Sequence, residues 1–281
     1  MVAAHLNAGN RWRASRHRQS TIVGRLRAAG CVFAEDEAGL LVAAAATPDE
    51  LAAMVKRRVS GLPLEYVIGW GEFCGLRIAV DPGVFVPRHR TEFLVAQAAA
   101  LAQPGAVVVD MCCGSGALGA ALAVAGEGIE LHAADIDPAS VRCARRNLAA
   151  AGGHVYEGDL FEPLPATLLG RVDVLVANVP YVPTDEIERL PREARLYEAR
   201  VALDGGGDGL DVLRRVAAAA PLWLAPGGHL LVETSEWQAP WAVEIFTRHG
   251  LVPRVATLDE LEATIVVGAR AAHMEEPVQS A

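Results

Sequence analysis

From residue 92 onward the chain alternates short apolar runs with longer stretches of helical periodicity, and that alternation limits the fold more than any other feature. The apolar runs fall at 106–111, 129–135, 154–157, 172–178, 228–234, 251–257 and 263–268. Helical patterns stand between most of them, for example at 92–102, 116–125 and 138–150. Strands that are almost continuous Val, Ala and Leu, bracketed by helices, predict an α/β fold with a mostly parallel, seven-stranded sheet covered on both faces. Ligands of such sheets lie beyond the carboxyl ends of the strands. The places to look are therefore after 110, after 134 and after 178.

The residues before this pattern behave differently. Residues 1–20 are polar, basic and without periodicity, and read as a flexible tail; arginines at 11, 13, 16, 18, 25 and 27 concentrate there and just beyond. Residues 21–60 carry helical spacing, and Thr47-Pro48-Asp49-Glu50 has the form of a helix start, with proline in the first turn and acids beside it. Segment 61–91 is punctuated by Gly61, Pro63, Gly69, Gly71, Gly75 and Gly83 and predicts a β-hairpin linker. A main domain at 92–271 and a flexible C-terminal tail at 272–281 complete the organisation. The charge is −9, from 34 acidic and 25 basic side chains, which argues against a broad phosphate-contacting surface. Five cysteines without metal-ligand spacing suggest a reducing, cytoplasmic setting and no metal. No apolar run is long enough for a membrane span, and no signal-like segment opens the chain.

The first strand end reads Asp110-Met111-Cys112-Cys113-Gly114-Ser115-Gly116. Gly114 and Gly116 permit a tight turn into a helix and close approach of a ligand. No Gly-Lys-Ser/Thr follows, and the acid before the turn would repel a pyrophosphate but suit a cationic group. At the second strand end, Asp135 can accept both hydroxyls of a ribose, and Ile136 can lie against a base. Asp137 before Pro138 is read as a helix N-cap. After the third strand, Asp159, followed by Leu160, can accept from an exocyclic amine. Together the three acids describe a ligand with a cationic end, a ribose and an adenine, and S-adenosylmethionine fits that description.

Its methyl would point to Val176-Ala177-Asn178-Val179-Pro180-Tyr181. A planar amide nitrogen is a poor nucleophile. The side-chain carbonyl of Asn178 and the backbone carbonyl of Val179 can each accept one of its hydrogens, orienting it and favouring the charge that develops during attack. Pro180 stiffens the turn, and Tyr181 can pack on the planar group.

At these residues the chain resembles the protein-(glutamine-N5) methyltransferases that act on peptide chain release factors, as a divergent branch. The resemblance runs over roughly 60–270. It includes Gly61-Leu62-Pro63-Leu64-Glu65-Tyr66, Glu72-Phe73-Cys74-Gly75, the segment Pro87-Arg88-His89-Arg90-Thr91-Glu92 against the family's Pro-Arg-Pro-Glu-Thr-Glu, and Asn178-Val179-Pro180-Tyr181 against Asn-Pro-Pro-Tyr. Glu198 and Leu203-Asp204-Gly205-Gly206-Gly207-Asp208-Gly209 match a loop that covers the family's site. The resemblance implies a Rossmann-like class I methyltransferase sheet with a small N-terminal helical domain, S-adenosylmethionine as cofactor, and the glutamine of a Gly-Gly-Gln tripeptide in a release factor as acceptor. It carries the cofactor role to Asp110, Met111, Cys112, Gly114, Gly116, Asp135, Ile136, Asp159, Leu160 and Asn178. The catalytic role falls to Asn178, Val179, Pro180 and Tyr181, and the substrate or lid role to Arg88, Thr91 and Glu198. A monomer is expected. Four positions depart from the family pattern: Cys112 for a glycine, Val179 for a proline, Ala199 for a proline after Glu198, and His89-Arg90 for Pro-Glu.

Other acceptors remain open: the exocyclic amine of a nucleic-acid base, or another peptide or small-molecule amide or amine. A cofactor-binding protein without turnover is the non-enzymatic alternative. Cys112 and Cys113 read as small buried residues, Trp237 and Trp241 as core because they lie four apart, and His154 and His229 as neutral histidines without a catalytic partner.

Overall fold

The computed structural model describes residues 16–272. Most of both expected tails lies outside these residues. The chain forms two compact units, one of residues up to Trp70 joined by Pro191–Tyr197, the other of Gly71–Leu190 and the chain from Glu198 onward.

The first unit is helical: α1 (Arg16–Ala28), α2 (Ala34–Ala44), α3 (Pro48–Val59) and α4 (Leu64–Ile68). Helix α1 starts at Arg16, so residues 16–20, expected in the tail, are helical. The start of α3 is built as the sequence suggests: the Thr47 hydroxyl accepts from the Glu50 amide at 3.1 Å, and the Glu50 carboxylate accepts from the Ala46 amide at 2.6 Å. This satisfies amides that a helix start leaves unpaired. Leu26, Ala34, Ala38 and Leu41 are fully buried between the helices. The expected linker is not a hairpin throughout. Pro63 opens α4 and Gly69, at φ 85°, closes it. The hairpin itself is short, β1 (Trp70–Phe73) and β2 (Leu76–Ala79). Cys74 and Gly75 both have positive φ at its turn, as a two-residue hairpin of the favoured twist requires.

The second unit contains α5 (Glu92–Ala99), β3 (Val107–Met111), α6 (Ala117–Ala125), β4 (Glu130–Asp135), α7 (Pro138–Leu148), β5 (His154–Glu157) and β6 (Val172–Ala177). After the short α8 (Arg192–Tyr197), which belongs to the first unit, follow α9 (Asp211–Trp223), β7 (Leu224–Thr234), α10 (Ala239–Arg248), β8 (Leu251–Leu258) and β9 (Ala263–Arg270). The seven strands lie in the order β5-β4-β3-β6-β7-β9-β8. All neighbours are parallel except β9, which is antiparallel to both β7 and β8. All seven strands fall where the sequence places them, and β7 starts four residues earlier, at Leu224 rather than 228.

Alternation along the strands sorts the side chains into two cores. Val109, Met111, Leu175 and Ala177 face α9 and α10, while Val108, Val174, Val176 and Leu231 face α5 and α6. Strand order reverses at the β3/β6 boundary, so a crevice is expected above these two strand ends. The tryptophan expectation is corrected: Trp237 is 51% and Trp241 48% exposed, packed edge to face at 5.3 Å. Helix α10 begins at Ala239, so Trp237 precedes it. Its buried stripe is Ala239, Ala242, Ile245 and Phe246, and Trp241 lies off that stripe.

Candidate active site

A crevice of about 720 Å³, open solvent included, lies above the ends of β3, β4 and β6. Its walls include Met111, Cys112, Gly114, Asp135, Ile136, Asp159, Leu160, Asn178 and Pro180. These are eight of the ten residues expected to hold the cofactor, plus a catalytic one. The remaining two, Asp110 and Gly116, do not line it.

Asp110 is 1% exposed and its carboxylate accepts from the Gly119 amide at 2.8 Å. It staples the end of β3 to the first turns of α6. Burial pushes its carboxyl up to about 8, opposed by the Gly119 hydrogen bond. Gly116 serves packing: a Cβ there would stand 3.1 Å from Ala144 Cβ and 3.2 Å from the Leu148 side chain, between α6 and α7. Gly114 has no such neighbour. Its amide donates to Asp135 Oδ2 at 2.8 Å, while Asp135 Oδ1 accepts from the Asp137 amide at 2.8 Å. Asp135 is thereby fixed in orientation at the crevice wall, its carboxyl raised chiefly by burial. Asp137 is the N-cap of α7, accepting from the Ser140 amide at 2.9 Å, as its place before Pro138 indicated.

Two of the four non-glycine residues with positive φ among the described ones, Cys112 at 56° and Leu160 at 50°, line this crevice. Backbone strain of this kind is held at sites that need a particular surface. Cys112 corrects the reading of both cysteines as buried: Cys113 is buried, but Cys112 is part-exposed and forms crevice wall. Burial, then Asp135 and Asp110, push its thiol far up, so it stays a neutral thiol. Among the described residues no group of three or more His, Cys, Asp or Glu could hold a metal.

Asp159 is salt-bridged to Arg215 of α9 at 2.7 Å, and Arg215 and Val212 line the same crevice. Sequence reading missed these two. They lie three apart on one helix face, a signal that points to a shared surface without saying which. Val201 and Ala202 also reach the crevice from the segment after Glu198.

A second, smaller cavity adjoins the first. It is lined by Phe73, Phe85, Arg88, Thr91 and Leu118, and shares Cys112, Gly114 and Asn178 with the crevice. Thr91 is 1% exposed, and its hydroxyl has no hydrogen-bond partner among the described residues. Arg88 lies over the Phe85 ring at 4.8 Å and pairs with Glu198, which also accepts from the Val86 amide at 3.4 Å. Glu198, 7% exposed, thus holds the 86–88 segment in place.

The segment after β6 is pinned from several sides. Val179 is 2% exposed and packs into the core beneath the site. The Tyr181 hydroxyl donates to Glu233 Oε1 at 3.2 Å and accepts from Arg90. The Tyr181 carbonyl accepts from the Gln238 side chain at 3.0 Å. The 204–209 loop lies directly against this segment. A Cβ at Gly205 would come within 2.7 Å of the Pro180 carbonyl oxygen, and one at Gly209 within 2.3 Å of that of Tyr181. Glycine is required at both positions by this approach. His154 and His229 are not part of the site: His154 stacks on His132 at 5.2 Å, and burial lowers His229, keeping it neutral.

Residues 75–225 match the Methyltransferase small domain family. A methyltransferase from Pyrococcus furiosus superposes with a TM-score of 0.54 at 16% identity, covering 70% of this chain and 90% of that one. A Thermus thermophilus 16S rRNA methyltransferase superposes at 0.51 and 21% identity, covering 72% of this chain and 49% of that one. These two likenesses concern the fold. In sequence, the release factor glutamine methyltransferase of Geobacter sulfurreducens is 42% identical over 228 residues, 79% of each chain. That of Mycolicibacterium smegmatis is 38% identical over 208 residues, 72% of this chain and 73% of the other. At 42% identity over 79% of its length, the chain belongs to the release factor glutamine methyltransferase family.

Proposed function

We propose that the protein transfers a methyl group from S-adenosylmethionine to the side-chain amide nitrogen of a glutamine, in the Gly-Gly-Gln tripeptide of a release factor, and that it does so in the cytoplasm. The observation that carries this reading is the position of Asn178, which forms wall for both the crevice and the smaller cavity. A donor in one space and an acceptor in the other would meet at this side chain.

The crevice residues fit the cofactor. Asp135, oriented by two backbone amides, has lone pairs left for ribose hydroxyls. Ile136 is 51% exposed in the crevice and offers an apolar face to the base. Asp159, held by Arg215 through Oδ2, keeps Oδ1 for the adenine amine. When bound, S-adenosylmethionine supplies an electrophilic methyl on a sulfonium centre. Asp110 lies beneath the turn, so its contribution is to the shape of the Cys112–Gly116 segment, which it ties to α6 through the Gly119 amide, rather than to direct contact.

Asn178 Oδ1 and the Val179 carbonyl accept the two amide hydrogens of the glutamine and aim its nitrogen. As the nitrogen acquires positive charge during attack, both bonds strengthen, which is stabilisation specific to the transition state. Thr91 supplies an unpaired hydroxyl to the acceptor cavity, and Phe73 and Phe85 exclude water from it. Arg88, clamped by Glu198, shapes its mouth.

The direct experiment is methyl transfer from labelled S-adenosylmethionine to a purified release factor, with the label located by mass spectrometry. Label on the Gly-Gly-Gln glutamine is expected. Intact cofactor binding with no label on that residue would overturn the acceptor assignment.

A further inference from the structure

Arg90 stands at one of the positions where the chain departs from the family segment, and the roles above leave it unused. It is the centre of a small cluster. Its Nε donates to Glu233 Oε1 at 3.1 Å, and its Nη2 donates to the Tyr181 hydroxyl. Tyr181 donates to the same Glu233 oxygen, and the Arg90 guanidinium lies 5.9 Å from the centre of the Tyr181 ring.

We propose that Arg90 and Glu233 are a positioning pair that fixes the Tyr181 ring and, through it, the Asn178–Tyr181 turn beside the acceptor cavity. The proposal rests on the methyl-transfer reading above. Three observations support it.

The first is the loss of stiffness inside the motif. Val179 has no ring to fix its φ, whereas a proline would. Holding the far end of the turn restores that constraint from outside. The Tyr181 hydroxyl is held by two side chains and its carbonyl by Gln238, so ring and backbone are both fixed.

The second is the chemistry of the pair. Glu233 is 2% exposed, yet one oxygen takes both bonds while Oε2 has no partner among the described residues. An unmet buried carboxylate oxygen is costly. A pair selected for stability would spread its bonds over both oxygens. This one directs them to where the phenol must be held.

The third is the fork. Arg90 reaches two partners with two different nitrogens, a geometry that a guanidinium has and an ammonium lacks. An acid at position 90 would instead put like charge beside Glu233.

The test is a double-mutant cycle in the full chain: Arg90→Ala, Arg90→Lys, Tyr181→Phe and the Arg90→Ala/Tyr181→Phe double, assayed for methyl transfer to a release factor. Arg90→Ala should lower kcat about 10- to 100-fold by misplacing the turn. The KM for the acceptor, cofactor affinity and melting temperature should stay near wild type, and Arg90→Lys should not restore the rate. Because Arg90 acts through the phenol, the double variant should be no slower than Tyr181→Phe alone. Additive losses, or a change confined to the acceptor KM, would overturn the proposal.

A second readout needs no acceptor. The sequence has four tyrosines, so in protein labelled with 3-fluorotyrosine the fluorine signal that Tyr181→Phe deletes belongs to Tyr181. That signal should move in Arg90→Ala. A signal that stays in place refutes the tether even if the enzyme is active. A signal that moves in a protein with no transfer to the release factor refutes the reaction reading alone.

Discussion

Each unit pairs an arginine with a buried glutamate, and the pairs are built differently: the Arg58 side chain is buried with its partner, whereas that of Arg90 is 45% exposed. In the helical unit, Arg58 is 7% and Glu37 9% exposed. Arg58 Nε meets Glu37 Oε2 at 2.6 Å and Nη2 meets Oε1 at 3.0 Å, so both oxygens are used. Its Nη1 donates to Glu193 at 2.6 Å and to the Leu62 carbonyl at 2.9 Å. In the sheet unit, Arg90 and Tyr181 share one Glu233 oxygen and leave the other without a partner among the described residues. The first pair uses both carboxylate oxygens and all three guanidinium nitrogens. The second is open and half-satisfied, and its bonds converge on a residue of the active-site turn. The two carboxylates are both buried, and satisfaction of their oxygens separates the pair that closes on itself from the one that serves a site.

The comparison predicts opposite consequences of breakage. Arg58→Ala leaves the Glu37 carboxylate buried without its partner and should cost about 3–5 kcal/mol of stability. Replacing both Arg58 and Glu37 with methionine should recover most of that loss, since a closed pair of this kind can be exchanged for packing. Denaturant unfolding of the single and double variants measures it. A single variant as stable as wild type would show that Glu37 finds water when Arg58 is gone. In the sheet unit the largest effect should be on rate. Asn178→Ala removes an orienting acceptor that strengthens in the transition state, with an expected fall of about 10²–10³ in kcat. Cofactor affinity, read by calorimetry, should stay near wild type. Full activity would remove Asn178 from catalysis.

The difference between the units also explains what could be read in the sequence. The central strands, such as β3 and β6, were legible because their Val, Ala and Leu runs are buried on both faces, so hydrophobicity alone marks them, whereas the edge strands β5 and β8 are largely unburied and were marked by their place in the strand–helix alternation. Asp135, Asp159 and Asn178 were legible because strand ends are where such sheets bind ligands, and all three line the crevice. Arg215 and Glu233 were not assigned to the site, because their partners, Asp159 and Tyr181, are 56 and 52 residues away in the chain. Only the fold brings them together. Asp110 was assigned to ligand contact from its place before the turn, but that place equally suits a staple to the Gly119 amide, which is what it makes. Helix α4 was missed because five residues between Pro63 and Gly69 are too few for a periodic pattern.

Asp110 gives the sheet unit a pH axis. Its carboxyl is raised from 3.8 to about 8 by burial. Between those values the folded state holds a proton that the unfolded state has released. Stability therefore falls as pH rises across this window, and the loss is complete only above about 8. Asp110→Asn keeps an oxygen to accept from Gly119 and removes the titration. Thermal melts at pH 5.5 and pH 8.5 should show a larger drop for wild type than for this variant. Equal drops would mean that Asp110 is already ionised in the fold.

The smallest expected effect is the sharpest test of satisfaction. Thr47 and Thr234 are both hydroxyls at element ends. Thr47 caps α3 and accepts from the Glu50 amide at 3.1 Å. Thr234, at the end of β7 beside Glu233, is 6% exposed and its hydroxyl has no partner among the described residues. Thr47→Ala should cost about 1 kcal/mol, the usual value of a lost N-cap. Thr234→Val keeps the shape and removes only a polar atom that makes no bond, so stability should stay within about 1 kcal/mol of wild type or rise slightly. If Thr234→Val instead destabilises by as much as Thr47→Ala, the Thr234 hydroxyl has a partner in solution, most simply an ordered water.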